Sequence, residues 1–323
     1  MQESRTTRQP LSRPASLVIL GPTASGKTHL GVAMARGLGG EIVSADSRQV
    51  YRGLDIGAGK DLDEYVEGGP AVAYHLIDIV DLDQEYSVFD FQQAAFGAVE
   101  SLWRRGRVPI IVGGSGLYLE SLVEKYRLVP VPEDPVLRQE LAGLDDAELA
   151  HRLRQVKPDL HNQTDLAERE RTIRAIEIAL YSRDHDPEPA PDLRPLVLGI
   201  RWPRQVLHER IRTRLGERLD SGLIEEVAQL HAAGVSWERL DRLGLEYRWV
   251  SEYLRGRIRR RGYLLRSLGS EIIKFAKRQD SWFRRMERRG TRIHWLDGCD
   301  VDGALEVARA HGLDVVATGP PTA

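Results

Sequence analysis

Leu17-Val-Ile-Leu-Gly-Pro-Thr-Ala-Ser-Gly-Lys-Thr28 is the stretch whose reading decides the fold. Leu17 to Leu20 is an apolar run of strand length. Gly21, Gly26, Lys27 and Thr28 then satisfy G-x-x-x-x-G-K-[ST], and His29 to Arg36 reads as a helix. Each fixed position has a physical task. The glycines let the backbone turn its N–H groups toward phosphate oxygens, and the helix start adds the positive end of its dipole. Lys27 supplies a point charge, and Thr28 offers a hydroxyl to a magnesium ion. The stretch predicts a di- or triphosphate site at the end of a buried strand.

Length and composition bound what surrounds that site. The chain has 323 residues, enough for two domains or for one domain with a large insertion. Hydrophobic residues at 41% and charged residues at 29% are usual for a globular protein with a sizeable core. A single cysteine, Cys299, excludes an internal disulfide and a cysteine-based zinc cluster, and fits a reducing cytoplasm. No apolar run reaches the length of a membrane span, so no membrane partner is expected. Residues 1–15 carry Arg5, Arg8 and Arg13 without an apolar stretch. They read as a disordered leader, or as an organellar presequence, and not as a secretory signal.

Further strands end in polar residues. Glu41 to Ser44 reads as a strand running into Ala45-Asp46-Ser47-Arg48-Gln49-Val50-Tyr51. A carboxylate there sits at the carboxyl edge of the sheet, where open α/β folds bind ligands. Asp46 is a candidate base or metal partner; a helix N-cap is an equal reading. Gly53 to Lys60 is a Gly-rich turn, weak evidence by itself. For His75 a core or hydrogen-bonding role has at least as much weight as a functional one. Phe91, Ala94, Ala95, Val99 and Leu102 have helical spacing, ended by Gly106. Arg107 to Val112 is apolar enough for a parallel strand buried on both faces, and it runs into Gly113-Gly-Ser-Gly116. Those glycines would let a second ligand approach the backbone, with the Ser115 hydroxyl at the same edge as Asp46. One pocket is implied.

From Glu133 to Asp186 charge is dense and only helical spacing recurs, as at Ile173, Ile176 and Leu180. This predicts a helical insertion, ended by a Pro-rich linker containing Pro187, Pro189, Pro191 and Pro195. The sheet resumes at Leu196 to Ile200, and Val206, Ile211, Leu215 and Leu219 are expected to stripe the next helix. From Arg255 to Arg292 basic residues outnumber acidic ones fourteen to three. With a net charge of −2 overall, that excess is local, and it predicts a nucleic-acid partner. Of the interleaved aromatics, Phe275 and Trp282 lie seven apart on one helix face and are expected in the core.

Together these residues resemble the tRNA dimethylallyltransferases. The resemblance rests on Gly21-Pro-Thr-Ala-Ser-Gly-Lys-Thr28, on Ser44-Ala-Asp-Ser-Arg-Gln-Val-Tyr51 with Asp55-Ile-Gly57, on Gly113-Gly-Ser-Gly-Leu-Tyr118, and on Lys277-Arg-Gln-Asp-Ser-Trp-Phe-Arg284. It spans Leu17 to Leu296. It implies an α/β fold: a P-loop, nucleotide-kinase-like parallel sheet flanked by helices, built from residues 16–132 and 196–323, with a helical insertion domain over 133–195. It implies transfer of a dimethylallyl group from dimethylallyl diphosphate to the exocyclic amine of the adenosine 3′ of the anticodon of tRNA. Magnesium is the implied cofactor, and a cytoplasmic monomer the expected form. By matching position, Asp46 would be the general base, Ser115 would bond the flipped adenine, and Arg214 would join Lys27 and Thr28 on the diphosphate. The loop residues Gly21, Pro22, Thr23, Ala24, Ser25 and Gly26 would cradle it, with Thr28 on the metal. Asp46, Ser47, Arg48, Gln49, Ser115, Arg171, Arg174, Tyr247, Arg248, Lys277, Arg278, Gln279, Trp282 and Arg284 would face tRNA.

The chain departs from the family pattern in places. The usual Gly-Gly-Thr is Gly113-Gly114-Ser115, which keeps the hydroxyl. Gly-Thr-Ala-Lys-Pro is Gly57-Ala-Gly-Lys-Asp61, Asn-Asp-Pro-Gln-Arg is replaced within Thr164 to Arg171, and Gly-Tyr-Arg is Glu246-Tyr-Arg248. Three other readings share some of these features. A shikimate-kinase-like enzyme would leave the insertion and the basic tail unexplained. An adenylate isopentenyltransferase would not need the basic tail. A tRNA-binding module with a relic loop would not need Lys27, Thr28, Asp46 and Ser115 together.

Overall fold

The computed structural model describes residues 15–158 and 168–313. The expected leader therefore lies outside the described residues except for Ala15, as does the first part of the altered segment from Thr164 to Arg171. Two compact units emerge. One runs to Lys125 and resumes at Pro191; the other spans Tyr126–Ala190.

The larger unit is built on a parallel sheet. Strand β1 (Ser16–Leu20) is buried along its whole length and leads through the loop into helix α1 (Lys27–Leu38). Strand β2 (Gly40–Ala45) follows, then the two-residue β3 (Tyr74–His75) and helix α2 (Val88–Arg104). Helix α2 opens on a capping box, in which the Ser87 hydroxyl accepts from the Asp90 N–H and the Asp90 carboxylate accepts from the Ser87 N–H. Its buried Phe91, Ala95, Val99 and Leu102 follow the expected spacing, and Gly106 turns the chain at φ 68°. Strand β4 (Val108–Gly113) and helix α3 (Gly116–Val123) complete this half. His75 bonds Glu41, which also accepts a fork from Arg105, so it is a structural residue on the flank of β2.

The smaller unit holds α4 (Pro135–Ala142), α5 (Asp146–Val156) and α6 (Arg169–Tyr181). Leu141, Leu149, Leu153 and Ile176 form its core, with Ile173 and Leu180 packed against them. The buried Glu177 is gripped by Arg138 and Arg174.

Beyond the insertion, β5 (Pro195–Arg201) precedes α7 (Arg204–Asp220), α8 (Leu223–Ala232), α9 (Trp237–Arg242) and α10 (Leu245–Leu254). The 28-residue α11 (Arg261–Arg288), β6 (Ile293–Asp297) and α12 (Val301–Ala310) end the described chain. The stripe of α7 is Leu207, Ile211, Leu215 and Leu219, one residue out of phase with the expected start. Val206 is exposed instead. A strict i, i+4 register from Ile211 leads back to Leu207, and Val206 lies about 100° around the helix.

All strand pairings are parallel, in the order β3-β2-β4-β1-β5-β6. Strand β4 lies between β1 and β2, so their carboxyl ends stand side by side: Leu20 registers with Gly113, and Gly113 with Ala45. That order places the phosphate loop, Asp46 and Ser115 on one edge, where parallel sheets bind ligands. Among the described residues, no helix is long and apolar enough to cross a membrane.

Candidate active site

The loop between β1 and α1 is braced from outside. The Ala24 carbonyl accepts from Arg210 (2.8 Å), the Ser25 carbonyl from the Trp202 indole (3.0 Å), and the Gly26 carbonyl from the Cys299 thiol (3.5 Å). Ala24 and Gly26 both take left-handed backbone, at φ 61° and 95°. With its carbonyls turned outward, the loop presents N–H groups and the start of α1 to an anion. The Lys27 ammonium donates to the Pro22 carbonyl at 2.7 Å across this loop. Burial, then the nearby Arg214, lower its pKa to about 8. Lys27 and Thr28 form part of the wall of a cavity of about 990 Å³ that also meets Arg210, Arg214 and Asp61. Burial pushes the Cys299 thiol up, so it stays protonated beneath the loop.

Beside the loop, Asp46 follows β2 without starting a helix, so the N-cap reading does not apply. Its carboxylate accepts the Arg48 N–H at 2.8 Å, closing a local turn. The Ser115 hydroxyl accepts the Ser47 N–H at 3.0 Å, tying the end of β4 to the same turn. Gln49 accepts from the Ser44 hydroxyl (2.8 Å) and donates to the Gly59 carbonyl (2.9 Å). The sequence expectation left the glycines after β4 open to a second ligand. The protein's own side chains take that space: a Cβ at Gly114 would meet the Gln279 amide at 2.5 Å, and one at Gly116 would overlap Trp282.

Gln279 of α11 is the clamp. Its carbonyl accepts the Thr23 N–H (2.9 Å) and its amide donates to the Gly114 carbonyl (2.8 Å), so one buried side chain joins both loops. The resemblance placed Gln279 and Tyr247 on tRNA. Both are buried, and the Tyr247 hydroxyl accepts from the Ala58 N–H and donates to Glu226. Glu226 accepts the N–H groups of Asp55, Ile56 and Gly57 as well, fixing the Gly-rich turn over the cavity. Lys60, buried at the end of that turn, binds Asp55, Asp78 and the Tyr51 carbonyl. Replacing Gln279 with Ala is expected to lower kcat/KM about tenfold through loop misplacement, with tRNA affinity in a filter-binding assay unchanged.

The surface residues divide. Lys277, Arg278 and Arg284 stand exposed on α11, and Arg248 is exposed on α10. Trp282 is half-buried beneath the Arg285 guanidinium, 3.9 Å from its ring centroid. Phe275, expected in the core, is exposed; Phe283 takes the core position. The basic excess is smaller than a local count suggests. Arg255, Arg257, Arg261, Lys274, Arg285 and Arg289 are held in ion pairs, most with acids outside the segment: Asp241, Glu252, Asp220, Glu120 and Glu124. Arg171 and Arg174 belong to the smaller unit, paired with Glu168 and Glu177.

Fold and site define a P-loop α/β enzyme whose loop faces a carboxylate and a hydroxyl at the same sheet edge. Comparison with known proteins makes the class specific. A sequence model of the IPP transferase family matches residues 49–286, and one for isopentenyl transferase matches residues 15–81. The chain belongs to the IPP transferase family. It is 54% identical over 299 residues to tRNA dimethylallyltransferase 1 of Geotalea uraniireducens, covering 92% of this chain and 98% of that one. It is 58% identical over 295 residues to tRNA dimethylallyltransferase 2 of Syntrophotalea carbinolica, covering 90% and 97%. Among solved structures, the full-length tRNA isopentenylpyrophosphate transferase of Bacillus halodurans superposes with a TM-score of 0.65 at 32% identity, covering 92% of this chain and 94% of that one. A eukaryotic dimethylallyltransferase acting on tRNA shares the fold, with a TM-score of 0.73 at 23% identity, over 91% of this chain and 77% of that one.

Proposed function

We propose that this chain transfers a dimethylallyl group from dimethylallyl diphosphate to the exocyclic amine of the adenosine 3′ of the tRNA anticodon, releasing diphosphate. The observation that carries the reading is the juxtaposition of three strand ends, which sets Lys27 and Thr28 beside Asp46 and Ser115. The loop N–H groups, Lys27 and Arg214 take the diphosphate. As its bond to the allylic carbon breaks, they neutralise the charge that gathers on the leaving oxygens. The amine nitrogen forms the new bond to that carbon, and Asp46 accepts the proton it sheds. In this reading Ser115 bonds the adenine, and its hydroxyl also accepts the Ser47 N–H of the Asp46 turn.

Magnesium fits this site. Among the described residues no group of three or more His, Cys, Asp or Glu side chains is arranged to hold a metal. Magnesium does not need one, since it is commonly held by one or two protein oxygens together with substrate phosphates and water. The Thr28 hydroxyl on the cavity wall would be one such protein oxygen. When bound, the ion would supply further charge neutralisation at the departing diphosphate.

An anticodon loop is single-stranded, so extruding its base costs little, and its phosphates meet the exposed Lys277, Arg278 and Arg284. Replacing all three by Ala is expected to weaken tRNA binding and to flatten the slope of log K against log salt by about 2. A salt titration of the wild type and the triple variant tests this. An unchanged slope would favour an enzyme for free adenine nucleotides.

A further inference from the structure

Arg214 has a companion in the cavity. Arg218 lies one turn further along α7, on the same face, and lines the same cavity. Its side chain is 14% exposed, against 33% for Arg214. The fold makes room for it at Gly59, in left-handed backbone at φ 63°, where any Cβ would overlap the guanidinium. Two residues on, Asp61 also takes left-handed backbone, at φ 45°, uncommon for a residue with a side chain. Its carboxylate pairs with Arg214 and lies 3.8 Å from Arg218.

Cations gather at this point of a wall that also carries acids such as Glu64, Glu209 and Glu217. Lys27, Arg214 and Arg218 all line the cavity. Burial, then Arg214, lower the pKa of Arg218 itself. Glu246 lies across a narrow cleft lined also by Thr23 and Arg214, and its own burial pushes its carboxyl up. Asp61, one-third exposed and set just before a short helical turn (Leu62–Tyr65), pairs with Arg214 and stands 3.8 Å from Arg218.

We propose that Arg218 is a second arginine of the diphosphate grip, and that Asp61 is a resident anion which holds Arg214 and Arg218 in place and gives them up to the incoming diphosphate. The inference rests on the prenyl-donor reading of the cavity. A diphosphate carries more negative charge than a carboxylate and can accept from two guanidinium forks at once. The arginines, already gathered by Asp61, need no reordering when the exchange occurs. Asp61 therefore lowers donor affinity by competing while it keeps the grip organised.

The test is calorimetric binding of inorganic pyrophosphate with magnesium to the full chain. Asp61→Asn is expected to tighten pyrophosphate binding about three- to tenfold, because the competing charge is gone. Arg218→Met is expected to weaken it about tenfold or more, and Arg218→Lys by several-fold, since an ammonium cannot form the fork. Thermal unfolding checks that each variant folds. If Arg218→Met does not fold, Arg218→Lys and Asp61→Asn decide. Wild-type binding that both Asp61→Asn and the Arg218 variants leave within twofold would overturn this inference alone and make Arg218 a structural counter-ion. A wild type that binds no pyrophosphate would overturn the prenyl-donor reading and this inference with it.

Discussion

Asp46→Asn is expected to lower the rate of prenyl transfer by about 10²- to 10⁴-fold while tRNA affinity stays within about twofold, the range usual for losing a general base. The choice of Asn follows from the local geometry. The Asp46 carboxylate accepts the Arg48 N–H and so shapes the turn that Ser115 also holds. An Asn side chain can accept the same bond and keep the turn, yet it cannot take a proton from the adenine amine. Asp46→Ala removes both functions, so the difference between the two variants separates chemistry from architecture. Single-turnover rates with saturating donor, set beside filter-binding affinities for tRNA, give the two readouts. Equal loss of rate and of tRNA binding in Asp46→Asn would mean that the carboxylate organises the RNA surface and does not act on the proton.

The second large effect is expected at Lys27. Lys27→Met should lower kcat/KM for the donor by about 10²- to 10³-fold, as the loss of a preorganised charge at a leaving group does in other enzymes. The ammonium is half-buried and directed across its own loop to the Pro22 carbonyl. Poorly solvated there, it has little hydration to lose when a diphosphate displaces that carbonyl. Met preserves the bulk of the side chain, so the loop should keep its shape while the charge disappears. Donor affinity, measured without tRNA, should fall with kcat/KM, and tRNA affinity should not. An intact donor affinity would place the diphosphate elsewhere.

Much of this site was legible because its parts are local. The loop from Gly21 to Thr28 announces itself by spacing, and the strands ending at Ala45 and Gly113 by runs of apolar residues that stop at polar ones. Parallel-sheet physics then brings those ends together. What the sequence did not disclose depends on contacts between distant segments. Gln279 reads as a polar residue on a basic helix; only the packing of α11 against the loops, 256 residues from Thr23, makes it a clamp. Glu226 carries no local signal, because the N–H groups it accepts lie about 170 positions earlier. The basic tail overstated the free charge, since the acids that neutralise it come from other helices. Arg218 stands four residues after Arg214, with nothing local to mark it as part of the site. Its burial depends on Gly59, a backbone conformation that no side-chain pattern records.

The most direct test of the central claim, that this loop grips a prenyl donor beside an RNA base, is incubation of the purified chain with magnesium and radiolabelled dimethylallyl diphosphate, offered tRNA in one reaction and AMP in another. Label is expected in tRNA, on the adenosine 3′ of the anticodon, with AMP unlabelled. Label in AMP with tRNA untouched would contradict it. So would phosphorylation of a small alcohol from ATP by a protein that leaves tRNA unprenylated.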